Sequence, residues 1–347
     1  MEVLLLDPLV PEALAWLQER HEVSFRPELA DDPAELRKST YKTRAIVLPP
    51  HVVVSGEFLD FAPKLEIVAR MQISSDNTDL DACARRHVRV LQARSATVRS
   101  NAEYLLYGLL MLYRRGMISA LLGRKIAQVR MGRELSGSTV GLLGLAPVAH
   151  TLAPMLRSLG VRVLGYDPAV HHAADLWDKL GVEPVPLNEL MNQSDAISLQ
   201  MVYASRFKGW INERLLNHCK PGQLWVGVSR STLFDPDALA LALCDGRIDA
   251  CLMDGANPQF AAEGTPLHGI PNLHLTPRLG SHTREAKLRA SWYVAHRIHE
   301  TLSPMAAQAE AKVSDFSVLD SLEYSTDQDD PQALTASQWG SLSMHRR

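Results

Sequence analysis

The sequence predicts an α/β protein of two doubly wound domains with parallel sheets, and three observations carry that expectation. Short apolar runs alternate with helical periodicity from the first residues. The runs are unbroken, as in strands buried on both faces, whereas half-exposed strands alternate apolar and polar. The rhythm gives way to a long helical stretch and restarts after Gly137, and 347 residues is the length of about two domains.

In order, Glu2–Asp7 (EVLLLD), Arg44–Leu48, Leu65–Arg70 and Val88–Gln92 read as strands, with an amphipathic helix over Pro11–Arg20 and further helices between. In the second series, strands fall at Thr139–Leu145, Arg162–Tyr166, Ala196–Met201, Leu224–Ser229, Ala250–Met253 and Leu273–Thr276. Between the series, Asn101–Arg115 (NAEYLLYGLLMLYRR) is apolar almost all round its helical wheel, which predicts a buried helix or a subunit contact. From about Pro304, Ser, Asp and Gln rise and hydrophobic periodicity fades, so residues 304–347 are expected to form a disordered tail. Within it, Phe316–Tyr324 (FSVLDSLEY) is either solvated chain or a short docking motif.

Composition excludes several classes. The net charge of −3 comes from interspersed acids and bases, with no basic footprint for nucleic acid or an anionic membrane. No run approaches the ~18 apolar residues of a membrane span, and the start has no basic segment before a long apolar one. A cytoplasmic protein is expected. The four cysteines lack CxxC spacing, so no metal site is predicted, and Cys244 and Cys251 are expected to be buried free thiols.

The second series opens with STVGLLGLAPVAHTLAPMLRSLGVRVLGYDP, a strand, a small-residue turn, a helix and a second strand. That is the context a dinucleotide fingerprint requires, here Gly144-Leu145-Ala146-Pro147-Val148-Ala149. Ala149 is tolerated where helix and strand approach. Ala146 stands where a glycine would bring backbone against the pyrophosphate, so its methyl is expected to crowd the phosphates. Pro147 suits the first helical position, whereas Pro154 is expected to break a backbone bond and kink the helix. Asp167 follows Gly144 by close to the roughly 20 residues expected of the carboxylate that binds the ribose hydroxyls. It would repel a 2′-phosphate, which favours NAD over NADP. The alternative is a βαβ unit without a ligand.

With these residues in view, the chain resembles the D-isomer-specific 2-hydroxyacid dehydrogenase family over about residues 1–303. Pro63–Asp81, with Asp76-Asn77 and Asp79-Leu80-Asp81, is similar to its substrate-domain loop, and Ser138–Pro168 to its cofactor unit. Trp225–Leu239 (WVGVSRSTLFDPDAL) and Leu273–Thr283 (LHLTPRLGSHT) resemble its arginine-bearing and histidine-bearing segments. The resemblance implies two Rossmann-like domains, with an NAD-binding domain (100–283) inserted into a flavodoxin-like substrate domain (1–99 plus 284–303). It further implies a homodimer paired near Asn101–Arg115, and a small anionic 2-hydroxy or 2-oxo acid as substrate.

Carried over by position, the substrate-gripping arginine is Arg230, the glutamate is replaced by Gln259 and the catalytic histidine by Arg278. A guanidinium has no acceptor and takes no proton at neutral pH. His282, four residues on, is either a relocated base or a surface residue at a helix start. Ser229 and Asp254 fall beside the cofactor, Gln72 and Ser74 replace the substrate-loop glycines, and Ile73 between them is also expected to bind substrate. Gln200 occupies a position often held by histidine, His150 lies in the cofactor turn, and His171-His172 read as solvated. Two readings follow: an NAD-dependent oxidoreductase with altered acid–base chemistry, or a catalytically inactive NAD(H)- or anion-binding regulatory protein. In the first, Arg230 and Arg278 would make the site doubly cationic and suited to a dianion.

Overall fold

The computed structural model describes residues 2–71, 77–114, 131–202 and 205–303. Gln72, Ile73 and Ser74, and the residues from 304 onward with the Phe316–Tyr324 motif, lie outside the described residues. The chain divides into two compact units, one of residues up to Thr97 plus the chain from Arg284, the other Val98–Thr283. Both are built on all-parallel sheets flanked by helices.

In the first unit, β1 (Val3–Leu5), β2 (Val23–Phe25), β3 (Ala45–Val47), β4 (Ile67–Arg70) and β5 (Arg89–Gln92) lie in the order β2-β1-β3-β4-β5. The pleat sends successive residues to opposite faces, and both faces are apolar. Val3, Leu5, Val47 and Ile67 meet one core and Leu4, Ile46 and Val68 the other. The long helix Arg284–Leu302 returns to cover the first of these cores with Ala290, Val294, Ile298 and Leu302.

The second unit contains β6 (Thr139–Leu143), β7 (Arg162–Tyr166), β8 (Glu183–Pro184), β9 (Ala196–Leu199), β10 (Gln223–Gly227), β11 (Ile248–Asp254) and β12 (Leu273–Thr276). Their order is β12-β11-β10-β9-β6-β7-β8. The order reverses between β6 and β9, and ligands of open parallel sheets bind outside the carboxyl ends of the strands at such a switch.

The edge strands β2 and β8 escape the sequence reading, because three and two residues are too few to show a pattern. The helix Val98–Tyr113 packs Leu105, Leu109 and Leu112 into the core but leaves Arg99, Glu103, Tyr107 and Leu110 exposed. It is therefore not buried all round. The helix Pro147–Ser158 runs on through Pro154, which lacks the N–H for its own backbone bond. Pro154 faces solvent, so its ring projects away from the core. Cys244 also departs from expectation. It is exposed as the last residue of the helix Pro236–Cys244, whereas Cys83, Cys219 and Cys251 are buried. No described helix is long and apolar enough to cross a membrane.

Candidate active site

The turn after β6 lies at the switch point. Gly144 has φ +99°, a conformation side chains rarely adopt, and a Cβ there would stand 2.7 Å from the Met201 backbone. Its N–H donates to the Tyr166 carbonyl at 2.8 Å. From beneath, the buried Gln200 amide donates to the Gly144 carbonyl (2.7 Å) while its oxygen accepts from the Ser198 hydroxyl (2.7 Å). Gln200 thus braces the turn from the strand across the switch. The Ser229 hydroxyl donates to the Met201 carbonyl at 3.0 Å, tying the end of β10 to the same loop.

Asp167 stitches two turns together. One carboxylate oxygen accepts the Leu145 N–H at 2.7 Å and the other the Ala169 N–H at 2.8 Å. A carboxylate offers about four lone-pair sites, so acceptor capacity remains for a vicinal diol. Ala146 caps the helix Pro147–Ser158 in extended backbone (φ −56°, ψ 158°), which does not require glycine, and no side chain caps the first turn. An uncapped N-terminus presents free N–H groups, Val148 among them, and the positive end of the helix dipole to an anion. This donor set fits a dinucleotide pyrophosphate, and Asp167 fits the ribose. His150 Nε2 donates to the Leu145 carbonyl (3.2 Å), and burial lowers its pKa, so the ring adds no charge to the turn at neutral pH.

The catalytic candidates stand after β10, β11 and β12. Arg230, half-buried, precedes a short helical turn at Ser231–Leu233. The Ser231 hydroxyl accepts the Asn257 N–H at 3.3 Å, joining that turn to the segment after β11. Gln259 is exposed on a short turn of helix, Pro258–Ala261, capped by Asn257. Arg278 is exposed in left-handed backbone (φ 58°), strained for a residue with a Cβ. Its Cγ lies so close to Gly255 that a Cβ there would approach it to 2.8 Å. Arg278 and the turn that follows Arg230 thus both touch the segment Gly255–Asn257. Among the described residues no hydrogen bond joins Gln259 to Arg278. His282 is exposed, its N–H on the Leu279 carbonyl at 3.1 Å.

The loop bearing Arg278 is held by Asp254, which is 6% exposed. One oxygen accepts the Leu279 N–H (2.8 Å) and the Thr276 hydroxyl (2.6 Å), the other the Gly280 N–H (2.8 Å). Thr276 donates to Asp254, so it accepts the Tyr104 hydroxyl at 2.5 Å. Burial pushes that phenol up to about 12, keeping it a donor. Sequence reasoning singled out Gln200 by position without its bracing role under the turn, and missed Tyr104 behind Thr276. Tyr104 sits in a distant helix whose spacing shows only a buried face.

Residues 111–280 match the domain described as D-isomer specific 2-hydroxyacid dehydrogenase, NAD binding domain. The chain is 30% identical to (S)-sulfolactate dehydrogenase of Chromohalobacter salexigens over 88% of its own length and 99% of that protein's. It is 32% identical to D-3-phosphoglycerate dehydrogenase of Mycobacterium tuberculosis over 87% of its length, and spans 57% of that longer protein. A solved Thermus thermophilus protein superposes with TM-score 0.74 at 25% identity, covering 88% of this chain and 97% of that one. NAD-dependent formate dehydrogenase of Staphylococcus aureus, solved with NAD, shares the fold at TM-score 0.72 and 23% identity, over 88% of this chain and 96% of its own. The chain belongs to the D-isomer-specific 2-hydroxyacid dehydrogenase family, an NAD-binding oxidoreductase family, with its NAD-binding domain in the second unit.

Proposed function

We propose that this protein transfers a hydride between NAD(H) and a small 2-hydroxy or 2-oxo acid that carries a second anionic group. The observation that carries the proposal is the Arg278 corner: its loop is held by Asp254 and its side chain lies against Gly255, two residues before Asn257, which bonds the Ser231 hydroxyl next to Arg230. Sulfolactate and phosphoglycerate, in the names of the two relatives above, are both hydroxy acids with a second anion, which supports the reading. Bound at the turn after β6, NAD(H) supplies or accepts the hydride.

Arg230 grips the carboxylate and stabilises the developing alkoxide, and Arg278 takes the second anion. Gln259 is a neutral neighbour. With no imidazole at position 278, the hydroxyl proton exchanges with water or through His282, and chemistry is slow. The same Arg278 favours a second reading, a catalytically inactive NAD(H)- or anion-binding regulatory protein. NADH oxidation across a panel of 2-oxo acids separates the two. Turnover confined to dianions such as sulfopyruvate or oxaloacetate supports the proposal, and turnover of pyruvate equal to theirs overturns it.

The protein works as a cytoplasmic homodimer paired through the helix Val98–Tyr113, whose exposed Tyr107 and Leu110 supply an apolar contact. Light scattering at micromolar concentration tests this, and a single-chain mass refutes it.

A further inference from the structure

One face of the helix Val98–Tyr113 grips the corner that carries Arg278. Tyr104 follows Ser100 by four residues and Asn101 by three, the spacings that make side chains neighbours on a helix surface. The Ser100 hydroxyl bonds that of Thr283 at 2.8 Å. The Asn101 amide oxygen and the Tyr104 ring close on Gly280, where a Cβ would lie 2.8 Å from the first and 3.1 Å from the Cγ of the second. The Tyr104 hydroxyl holds Thr276 at 2.5 Å. The loop 276–283 is therefore held at its start, its middle and its end.

The Thr276 hydroxyl has one proton to give. Because its oxygen accepts from the phenol, that proton is directed at Asp254, 2.6 Å away. The Thr276 carbonyl meanwhile accepts the N–H groups of Gly255 (2.8 Å) and Arg278 (3.1 Å). The residue that Tyr104 fixes is thus bonded to Arg278 and to the glycine against which the Arg278 side chain lies. Arg278 has φ 58°, and a residue with a Cβ keeps such backbone only where its surroundings impose it. Burial pushes the Tyr104 phenol up to about 12, so this donor keeps its proton at neutral pH.

We propose that Tyr104 is a positioning residue that sets specificity: by orienting the Thr276 hydroxyl and closing under Gly280, it fixes Arg278 where the acid's second anion is held, without touching the acid. The proposal rests on the reading that Arg278 takes that anion. Loosening the corner then removes only the part of binding that Arg278 supplies. A dianion is weakened, whereas a monoanion gripped by Arg230 is not.

The test is calorimetric titration of tartronate, a dianionic 2-hydroxy acid, and of glycolate, its monoanionic counterpart, into the full chain saturated with NADH. The wild type is compared with Tyr104→Phe, Thr276→Val, Arg278→Gln and the double variant Tyr104→Phe with Arg278→Gln, and NADH affinity is measured separately. Tyr104→Phe keeps the ring and removes the donor. It should weaken tartronate about 3- to 10-fold, the scale of one hydrogen bond, with glycolate and NADH affinities unchanged. Thr276→Val should do the same. In the Arg278→Gln background, Tyr104→Phe should cost tartronate nothing further, because the two residues act on one contact. Should Tyr104→Phe not fold, Thr276→Val decides. If Arg278→Gln weakens tartronate but Tyr104→Phe leaves it at the wild-type value, the proposal alone is overturned. A parallel fall in glycolate or NADH affinity, or a further loss in the double variant, does the same. A wild type that binds tartronate no tighter than glycolate, or that loses nothing in Arg278→Gln, overturns the dianion reading, and the proposal with it.

Discussion

The carboxylate of Asp254 accepts the Gly280 N–H at 2.8 Å, and through this bond the end of β11 fixes the corner on which Arg278 stands. Gly280 is held tightly there: a Cβ would lie 3.0 Å from the same carboxylate oxygen and 2.8 Å from the Asn101 amide oxygen. Asp254→Ala leaves the buried Gly280 N–H, the part-buried Leu279 N–H and the Thr276 hydroxyl without their acceptor. We expect a loss of about 2–3 kcal/mol in urea unfolding, the scale of a hydrogen-bonded buried carboxylate. A change under about 0.5 kcal/mol would show that the loop holds itself.

Cofactor choice follows from Asp167. The wild type should bind NADH in preference to NADPH, and Asp167→Ala should weaken NADH and narrow the difference, measured by titration calorimetry. Ala146→Gly should tighten NADH by removing a methyl from beside the pyrophosphate. Because the Ala146 backbone is one that any residue adopts, the gain would come from that contact and not from relieved strain. Tighter NADPH than NADH binding by the wild type would refute the preference.

The missing base can be put back. Arg278→His with Gln259→Glu supplies an imidazole and an orienting carboxylate, leaving Arg230 in place. Turnover of pyruvate or glyoxylate should rise by about ten-fold or more, within the 10²–10⁴ that acid–base catalysis is worth. Position 278 adds its own obstacle, since histidine must also adopt left-handed backbone there. Wild-type turnover that vanishes in His282→Ala would instead locate the base at His282.

Stability should fall with acid before the carboxylates titrate. Burial lowers the pKa of His150, partly offset by its bond to the Leu145 carbonyl, and burial lowers that of His274. Unfolded, each ring takes a proton as pH falls through about 6.5, while the folded form resists. The unfolded state then binds more protons, so stability is whole above that value and declines below it. Melting temperatures from above pH 7 down to about 5.5 should show this fall. His150→Gln with His274→Gln should flatten it, and an unchanged slope would assign it elsewhere.

The sheets were legible because strands buried on both faces read as continuous apolar runs, and the restart after Gly137 marks the second unit. What stayed hidden is what depends on distance or on facing. Cys244 lies in an apolar run, yet as the last residue of its helix it turns outward. Pro154 looks like a breaker until it is seen to face water. The support of the Arg278 corner joins Tyr104, Thr276 and Asp254, and no local pattern connects a helix residue to a strand end so far along the chain. Arg70 reads as an ordinary charge closing a strand, and only the fold shows it enclosed by carbonyls.

The return of the helix Arg284–Leu302 to the first sheet imposes an order on biosynthesis. As the chain emerges from the ribosome, β1 to β5 are made first, but the helix that covers Val3, Leu5, Val47 and Ile67 comes after the whole second unit. Until then that sheet has an oily face only partly covered, by Ala13 and Leu17 of the helix Pro11–Gln18, and so a target for chaperones. The inserted unit, continuous from Val98 to Thr283, has no such wait and can fold first. A stop codon just before Arg284 would spare every residue of the NAD-binding unit and still yield an aggregating protein, because the lesion would fall on the half of the molecule made earliest.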